Sequence, residues 1–427
     1  MNIKKHVLTS ALALVAGLAF ADAVTVPTVS GVTLEQTGNR KMTIRYTLNN
    51  GPAVVTLDIQ TNYVNAAAET CWISIGGEHL QRVSFASDVF KMVTGDTVHT
   101  IKWEPDLDFP GHAIAAGGIR AVVTAWALDN KPDYMVVDLA NPSVGGEFYY
   151  PAVEYLPGGL LANIAYRTSK LVMRKIDAKN VRWTMGAYGE SGRDKDAEKL
   201  HDVTLTNNYY IGVFEFTQSQ YTMLYKDQWG NPTWPSCSYT GDGSSESRAC
   251  LPMENSPSST IMGRKNWSDA PSDNSLIGKI RTATGLDFDL PSEAQWEFAS
   301  RAGHGEGYWG TGAPILGTNP DANLSACYNN VNSHPVAVGS YPPNSWGLYD
   351  MSGNVGEYVL DFFDYNINAH TQGEITANTG NDYRVVRGGW YASSAAECRP
   401  AWRKTFYNCG YTSGQYGFRL ACRAGLK

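Results

Sequence analysis

The sequence has no Cys-x-x-Cys pair, although it carries seven cysteines: Cys71, Cys237, Cys250, Cys327, Cys398, Cys409 and Cys422. A thiolate zinc site is therefore not supported. It also has no long basic run. The 34 Lys and Arg residues are outnumbered by 41 Asp and Glu, for a formal charge of -7. That balance argues against a nucleic-acid partner held through its phosphates. No internal repeat or low-complexity tract is present. Charged residues make up only 18% of the chain and aromatics 11%, a globular composition with ample apolar material for more than one core. Beyond the N-terminus no stretch is apolar enough to span a bilayer.

What is present begins with Lys4 and Lys5, an apolar run from Val7 to Phe20, and the small-x-small sequences Ala19-Phe20-Ala21 and Ala21-Asp22-Ala23. These features read as a signal peptide over residues 1–23, and the expected location is outside the cytoplasm: periplasmic, cell-surface or secreted. Export permits disulfides, and Cys237 with Cys250, flanking a Gly/Ser-rich loop, is the expected local pair.

Residues 24–150 read as an all-β, immunoglobulin-like sandwich. Met42, Ile44, Tyr46 and Leu48 alternate with polar residues, as do Val55, Leu57 and Ile59. This is the period of a strand with one buried face. Asn49-Asn50-Gly51-Pro52 between them predicts a hairpin. Further strands are expected at 97–103, 119–128 and 134–139. Residues 151–180 read as a connector, and 181–427 as a separate domain. His79, His99 and His112 are isolated, and His201, His304, His334 and His370 show no ligand spacing.

The C-terminal region carries a run of motifs. Leu290-Pro291-Ser292-Glu293-Ala294-Gln295-Trp296-Glu297-Phe298-Ala299 continues to Gly303. Ser292 is placed to cap a helix, Gln295 to reach back to it, and Gly303 to stop it. Tyr209-Tyr210-Ile211-Gly212-Val213-Phe214-Glu215-Phe216-Thr217 lies upstream. Asn344 to Tyr358 contains Gly347-Leu348-Tyr349-Asp350-Met351-Ser352-Gly353-Asn354-Val355-Gly356-Glu357. Arg387-Gly388-Gly389-Trp390 and Gly417-Phe418-Arg419-Leu420 close the series. In this order the motifs resemble the formylglycine-generating-enzyme, or sulfatase-modifying-factor, family. The resemblance implies an α+β, loop-rich modified C-type-lectin fold.

Asp350 and Glu357 lie seven positions apart around a glycine turn, and hard cations favour such carboxylate and carbonyl oxygens. The resemblance implies a structural calcium ion here, with the Asp350 and Glu357 side chains and the Gly353 and Val355 carbonyls as ligands. A second family calcium site would involve Asn323 and the Leu324 carbonyl. The catalytic members hold copper(I) with two cysteines, as soft thiolates suit that metal. The matching positions here are Ala395 and Pro400, so copper is not expected.

Tyr391, Ser393, Ser394, Trp402, Phe406, Tyr407, Asn408, Tyr411 and Ser413 combine rigid aromatics with small polar groups, the composition of a recognition surface. Trp390 reads as core. The arrangement also resembles the variable proteins of diversity-generating retroelements, which place diversified residues between the same two motifs. The expected function is binding of a protein or glycan ligand. The alternative is a formylglycine-generating or divergent metal-dependent oxidase.

Overall fold

A computed structural model describes residues 26–424 apart from 85, 109, 112–116, 188, 191, 265, 267, 315–332, 365–382 and 408–412. The expected signal peptide, the second calcium site at Asn323 and Leu324, and His112, His370, Cys327 and Cys409 lie outside the described residues, as do Asn408 and Tyr411.

The N-terminal strands are β1 (Thr28–Gly38), β2 (Lys41–Asn49), β3 (Ala53–Val64), β4 (Thr70–Ser74), β5 (Lys91–Val93), β6 (Val98–Trp103) and β7 (Ile119–Trp126). They form two sheets. One has the order β1-β2-β6; in the other β3 pairs with β4, β5 and β7. All these pairings are antiparallel. The predicted apolar face holds in part: Ile44, Tyr46 and Leu48 of β2 are fully buried, and so are Val55 and Ile59 of β3, but Met42 is only partly buried and Thr43 and Thr56 of the opposite face are buried too. The predicted hairpin does not form, because β2 and β3 belong to different sheets. Asn49–Pro52 is a corner that carries the chain from one sheet to the other, so that the apolar faces of both strands enter one core. Alternation and turn residues locate two strands and a reversal, but they do not require the strands to be partners.

Strand β8 (Tyr134–Asp138) departs from the expected boundary at residue 150. With β9 (Phe148–Tyr150) it joins β10 (Lys170–Ile176), β13 (Tyr209–Gly212), β14 (Phe288–Asp289) and β19 (Ala421–Arg423). The order of this six-stranded sheet is β14-β19-β13-β10-β8-β9. The expected connector thus contains a strand from the middle of the sheet. The physical reason is in the residues. Met135-Val136-Val137 and Leu171-Val172-Met173 are continuous apolar runs with every side chain buried, as a strand covered on both faces requires. Val136 and Val172 pack into the same core as the N-terminal sheets, whereas Met135 and Met173 face the C-terminal core.

The remaining strands are β11 (Val181–Met185) and β12 (His201–Leu205), which form a ribbon, and β15 (Gly356–Phe362), β16 (Tyr383–Arg387), β17 (Arg403–Tyr407) and β18 (Tyr416–Gly417). The last four make a sheet of order β17-β16-β15-β18. Few helices interrupt this mostly-β chain, and no described helix is long and apolar enough to cross a membrane. The helix predicted from its caps runs Glu293–Arg301. Ser292 Oγ accepts from the Gln295 amide at 3.1 Å, and Gln295 Oε1 accepts from the Ser292 amide at 3.0 Å. Cys237 and Cys250 are both free thiols, so the expected local disulfide is not formed. The Cys237 thiol donates to the Glu254 carbonyl instead, and burial pushes its pKa up to about 12.

Candidate functional site

The segment from Arg387 to Tyr416 is shaped first by two glycines. Gly388 and Gly389 adopt φ of 86° and 71°. A Cβ on Gly388 would lie 3.1 Å from the Trp296 ring, and one on Gly389 2.9 Å from Cys398 Sγ. The double glycine therefore lets the chain turn against the Glu293–Arg301 helix and sets Trp390 beyond it. Ser393 Oγ accepts from the Trp390 amide at 3.1 Å. Ser394 begins a 3-10 turn over Ala395–Cys398, with Glu397 reaching back to the Ser394 amide at 2.8 Å.

Beneath this turn lies a set of buried ion pairs. Arg399 meets Glu190 at 2.7 Å and Glu198 at 2.9 Å. Arg403 grips Glu293 with two parallel bonds of 2.7 and 2.6 Å. Arg387 pairs with Glu297 and donates to the carbonyls of Ala401 and Trp402. Each guanidinium ties this segment to a distant part of the chain, and bidentate geometry fixes direction as well as distance.

Above the ion pairs sits an aromatic cluster. Trp390 approaches Trp402 at 6.2 Å and Tyr416 edge-on at 5.8 Å; Phe406 meets Tyr416 edge-on at 5.0 Å. Lys404 Nζ lies 4.5 Å from the Trp390 ring centre, within cation–π range. Trp390 is buried, as the sequence indicated. Ser393 and Trp402 are buried too. Of the other expected face residues, Ser394 is exposed, and Tyr391, Phe406 and Ser413 are half-buried. The Tyr407 backbone pairs with Tyr383 at the end of β17. Tyr391, Ser394, Lys404, Phe406 and Ser413 thus keep part of their surface exposed, and Lys404 and Phe406 stand two residues apart on β17. Lys404 escaped the sequence reading, although its alternation with Arg403 and Thr405 on a strand gave a signal.

Ala395 and Pro400, the positions that the sequence motifs set against a cysteine pair, are both buried. Cys398 is buried beside Gly389.

The expected calcium quartet lies behind this segment. Asp350, Gly353 and Asn354 all have positive φ, so the loop is tightly wound. Glu357 accepts from both arms of Arg419 at 2.6 and 2.7 Å and from Trp296 Nε1 at 2.7 Å. Asp350 Oδ2 accepts from the Gly339 amide at 2.7 Å, whereas its Oδ1 is buried without a partner. Glu215, which the sequence reading did not single out, is also buried here. It accepts from the Val355 amide at 3.1 Å and from Asn354 Nδ2 at 2.6 Å. Burial, reinforced by neighbouring Asp350 and Glu357, holds its pKa well above the usual carboxylate range. Burial likewise raises Asp350 to about 6. Three carboxyl groups crowd Arg419, with Arg167 also acting on Asp350. The raised Glu215 and Asp350 answer that crowding with protons, and a hard cation at the unpaired Asp350 oxygen would answer it as well. Glu357 itself is committed to Arg419 and Trp296. Among the described residues no three His, Cys, Asp or Glu side chains converge as a ready metal cage.

Residues 175–424 match the model of the sulfatase-modifying factor enzyme 1-like domain, more than half of the chain, and the protein belongs to that family. The formylglycine-generating enzyme of Streptomyces coelicolor is 32% identical over 197 residues, covering 39% of this chain and 56% of the enzyme. The serine/threonine-protein kinase pkn1 of Chlamydia caviae is 37% identical over 141 residues, covering 32% of this chain but only 21% of the kinase. This chain therefore spans about a fifth of one relative and just over half of the other. Among solved structures, Treponema denticola variable protein 1 is similar at 23% identity with a TM-score of 0.47, over 60% of this chain and 95% of that one.

Proposed function

We propose that this protein is an exported, non-catalytic ligand-binding member of its family, with its binding face at the rim formed by Tyr391, Ser394, Lys404 and Phe406. The reading rests above all on Ala395 and Pro400, which stand in place of the family's cysteine pair. Their side chains offer no ligand to a soft metal and no thiol for exchange. The rim supplies what recognition needs instead: aromatic area, a cation and a hydroxyl on a rigid base. Its partner is a protein or glycan, and the rim matches the region that varies in retroelement variable proteins. In this reading the two N-terminal sheets are an immunoglobulin-like sandwich that acts as a spacer.

The test is a screen of the full chain against immobilised glycans and surface proteins, repeated with Tyr391→Ala/Phe406→Ala. Binding that survives the double substitution counts against this face. Separately, copper-loaded protein is incubated with a Cys-x-Pro-x-Arg peptide. Loss of mass at the peptide cysteine would restore the oxidase reading.

Calcium is a proposal of its own. Asp350 through its unpartnered Oδ1 and the carbonyls of Gly353 and Val355 would hold it, with Glu357 sharing an oxygen already bonded to Arg419, stabilising the loop without taking part in chemistry. Terbium luminescence sensitised by the nearby aromatics tests it: displacement by calcium in the wild type, and no signal in Asp350→Asn, is the expected result.

A further inference from the structure

A cavity of about 410 Å³ opens at the edge of the six-stranded sheet, beside β14, β19 and the Asn207-Asn208 turn that precedes β13. Its charged lining comprises Arg264, Arg281 and Arg423 together with Asp269, Asp287 and Asp289. It shares no lining residue with the Tyr391–Phe406 rim. Its volume is in the range of small-molecule sites.

The charges inside are unevenly matched. Asp289 pairs with both Arg264 and Arg281, and Asp287 meets Arg281 at 3.0 Å. Arg281 Nε also donates to the Phe288 carbonyl at 2.6 Å. Asp269 is turned to Asn266, accepting from its amide at 3.3 Å and its side chain at 3.1 Å. The Arg264 side chain is only 4% exposed, and its Nε is buried without a hydrogen-bond partner. Arg423 is exposed at the cavity wall and has no acidic partner among the described residues. Two guanidinium groups are thus held by carboxylates, the Asp269 carboxylate is met by the neutral donors of Asn266, and Arg423 alone among the three arginines has no acidic partner among the described residues.

We propose that this cavity is a second binding site, for a small ligand carrying a carboxylate or a phosphate that pairs with Arg423. Guanidinium matches the planar or tetrahedral oxygens of either group. The rigid Arg264–Asp289–Arg281 floor keeps the site open without the ligand.

The experiment titrates the full chain with inorganic phosphate and, separately, with succinate, followed by calorimetry. Saturable binding of either probe is expected, weakened about tenfold in Arg423→Gln, the loss of one charge-assisted contact. The unfolding midpoint of that variant should match the wild type. Phosphate binding alone assigns a phosphorylated ligand, and succinate binding alone a carboxylate. The proposal is overturned if neither probe saturates, or if Arg423→Gln binds as well as the wild type. It is also overturned if Tyr391→Ala/Phe406→Ala abolishes the anion binding.

Discussion

The N-terminal sheets and the Arg387–Tyr416 segment solve the same problem with different materials. The sheets bury alternating apolar side chains, such as Ile44, Leu48, Leu57 and Ile59, and need no specific partner for each. The C-terminal segment and the irregular stretch between β18 and β19 bury Arg387, Arg399, Arg403 and Arg419, each of which needs a particular carboxylate. An apolar contact tolerates a shift of its neighbour, but a buried charge does not. The contrast teaches that irregular backbone, as at Arg399 and Arg419, can be tied down by directional anchors where no sheet ladder holds it.

The comparison can be broken most severely at Arg419. Arg419→Met leaves Glu357 buried without its counter-charge and should cost about 3–5 kcal/mol, read as a drop in the denaturant midpoint. Leu57→Ala, in the N-terminal core, should cost about 2–5 kcal/mol through its cavity. Because Val136 and Val172 join the N-terminal core to the six-stranded sheet, this loss should appear in one cooperative transition. Two separate transitions would show that the regions unfold independently. Ser292→Ala removes a helix cap and should cost about 1 kcal/mol. Tyr391→Ala, half-buried against the core, should also cost about 1 kcal/mol, whereas Ser394→Gly, at the exposed end of the segment, should cost no more than a few tenths of a kcal/mol; both are read as denaturant midpoints.

A pH titration sharpens the contrast further. Burial raises Asp350 from 3.8 to about 6 in the folded chain. A carboxyl whose folded pKa is raised binds its proton more tightly when folded. Stability from this group is therefore highest at low pH and is lost as pH rises from about 4 to about 6. Asp350→Asn should flatten that slope, as measured by unfolding midpoints across the window. Calcium, if bound, should reduce it too, because the cation favours the ionised carboxylate.

Much of this was legible in the residues. Alternation marked β2 and β3 because a half-buried strand needs period two. Ser292 and Gln295 marked a helix start because their side chains complete backbone bonds locally. Pairing was not legible: Asn49–Pro52 looks the same whether it joins neighbours or crosses between sheets. Nor was the membership of β8 and β10 in one sheet, since apolar runs such as Met135–Val137 do not name their partners. At the candidate site, composition identified Tyr391 and Phe406 but could not separate them from buried Trp402 and Ser393. That distinction depends on how the turn after Gly389 folds back on the core, since of these four only Phe406 lies on a strand. Glu215 was invisible as a site residue because its role arises from Asp350 and Glu357, which lie far along the chain.

The double glycine at 388 and 389 has a consequence for how such a protein can change over time. Everything that fixes the turn lies underneath it, in Trp296, Cys398 and the arginine anchors. An exposed outer residue such as Ala392 can therefore be exchanged with little effect on the scaffold, whereas Tyr391 and Phe406 also rest on the core and would carry a cost.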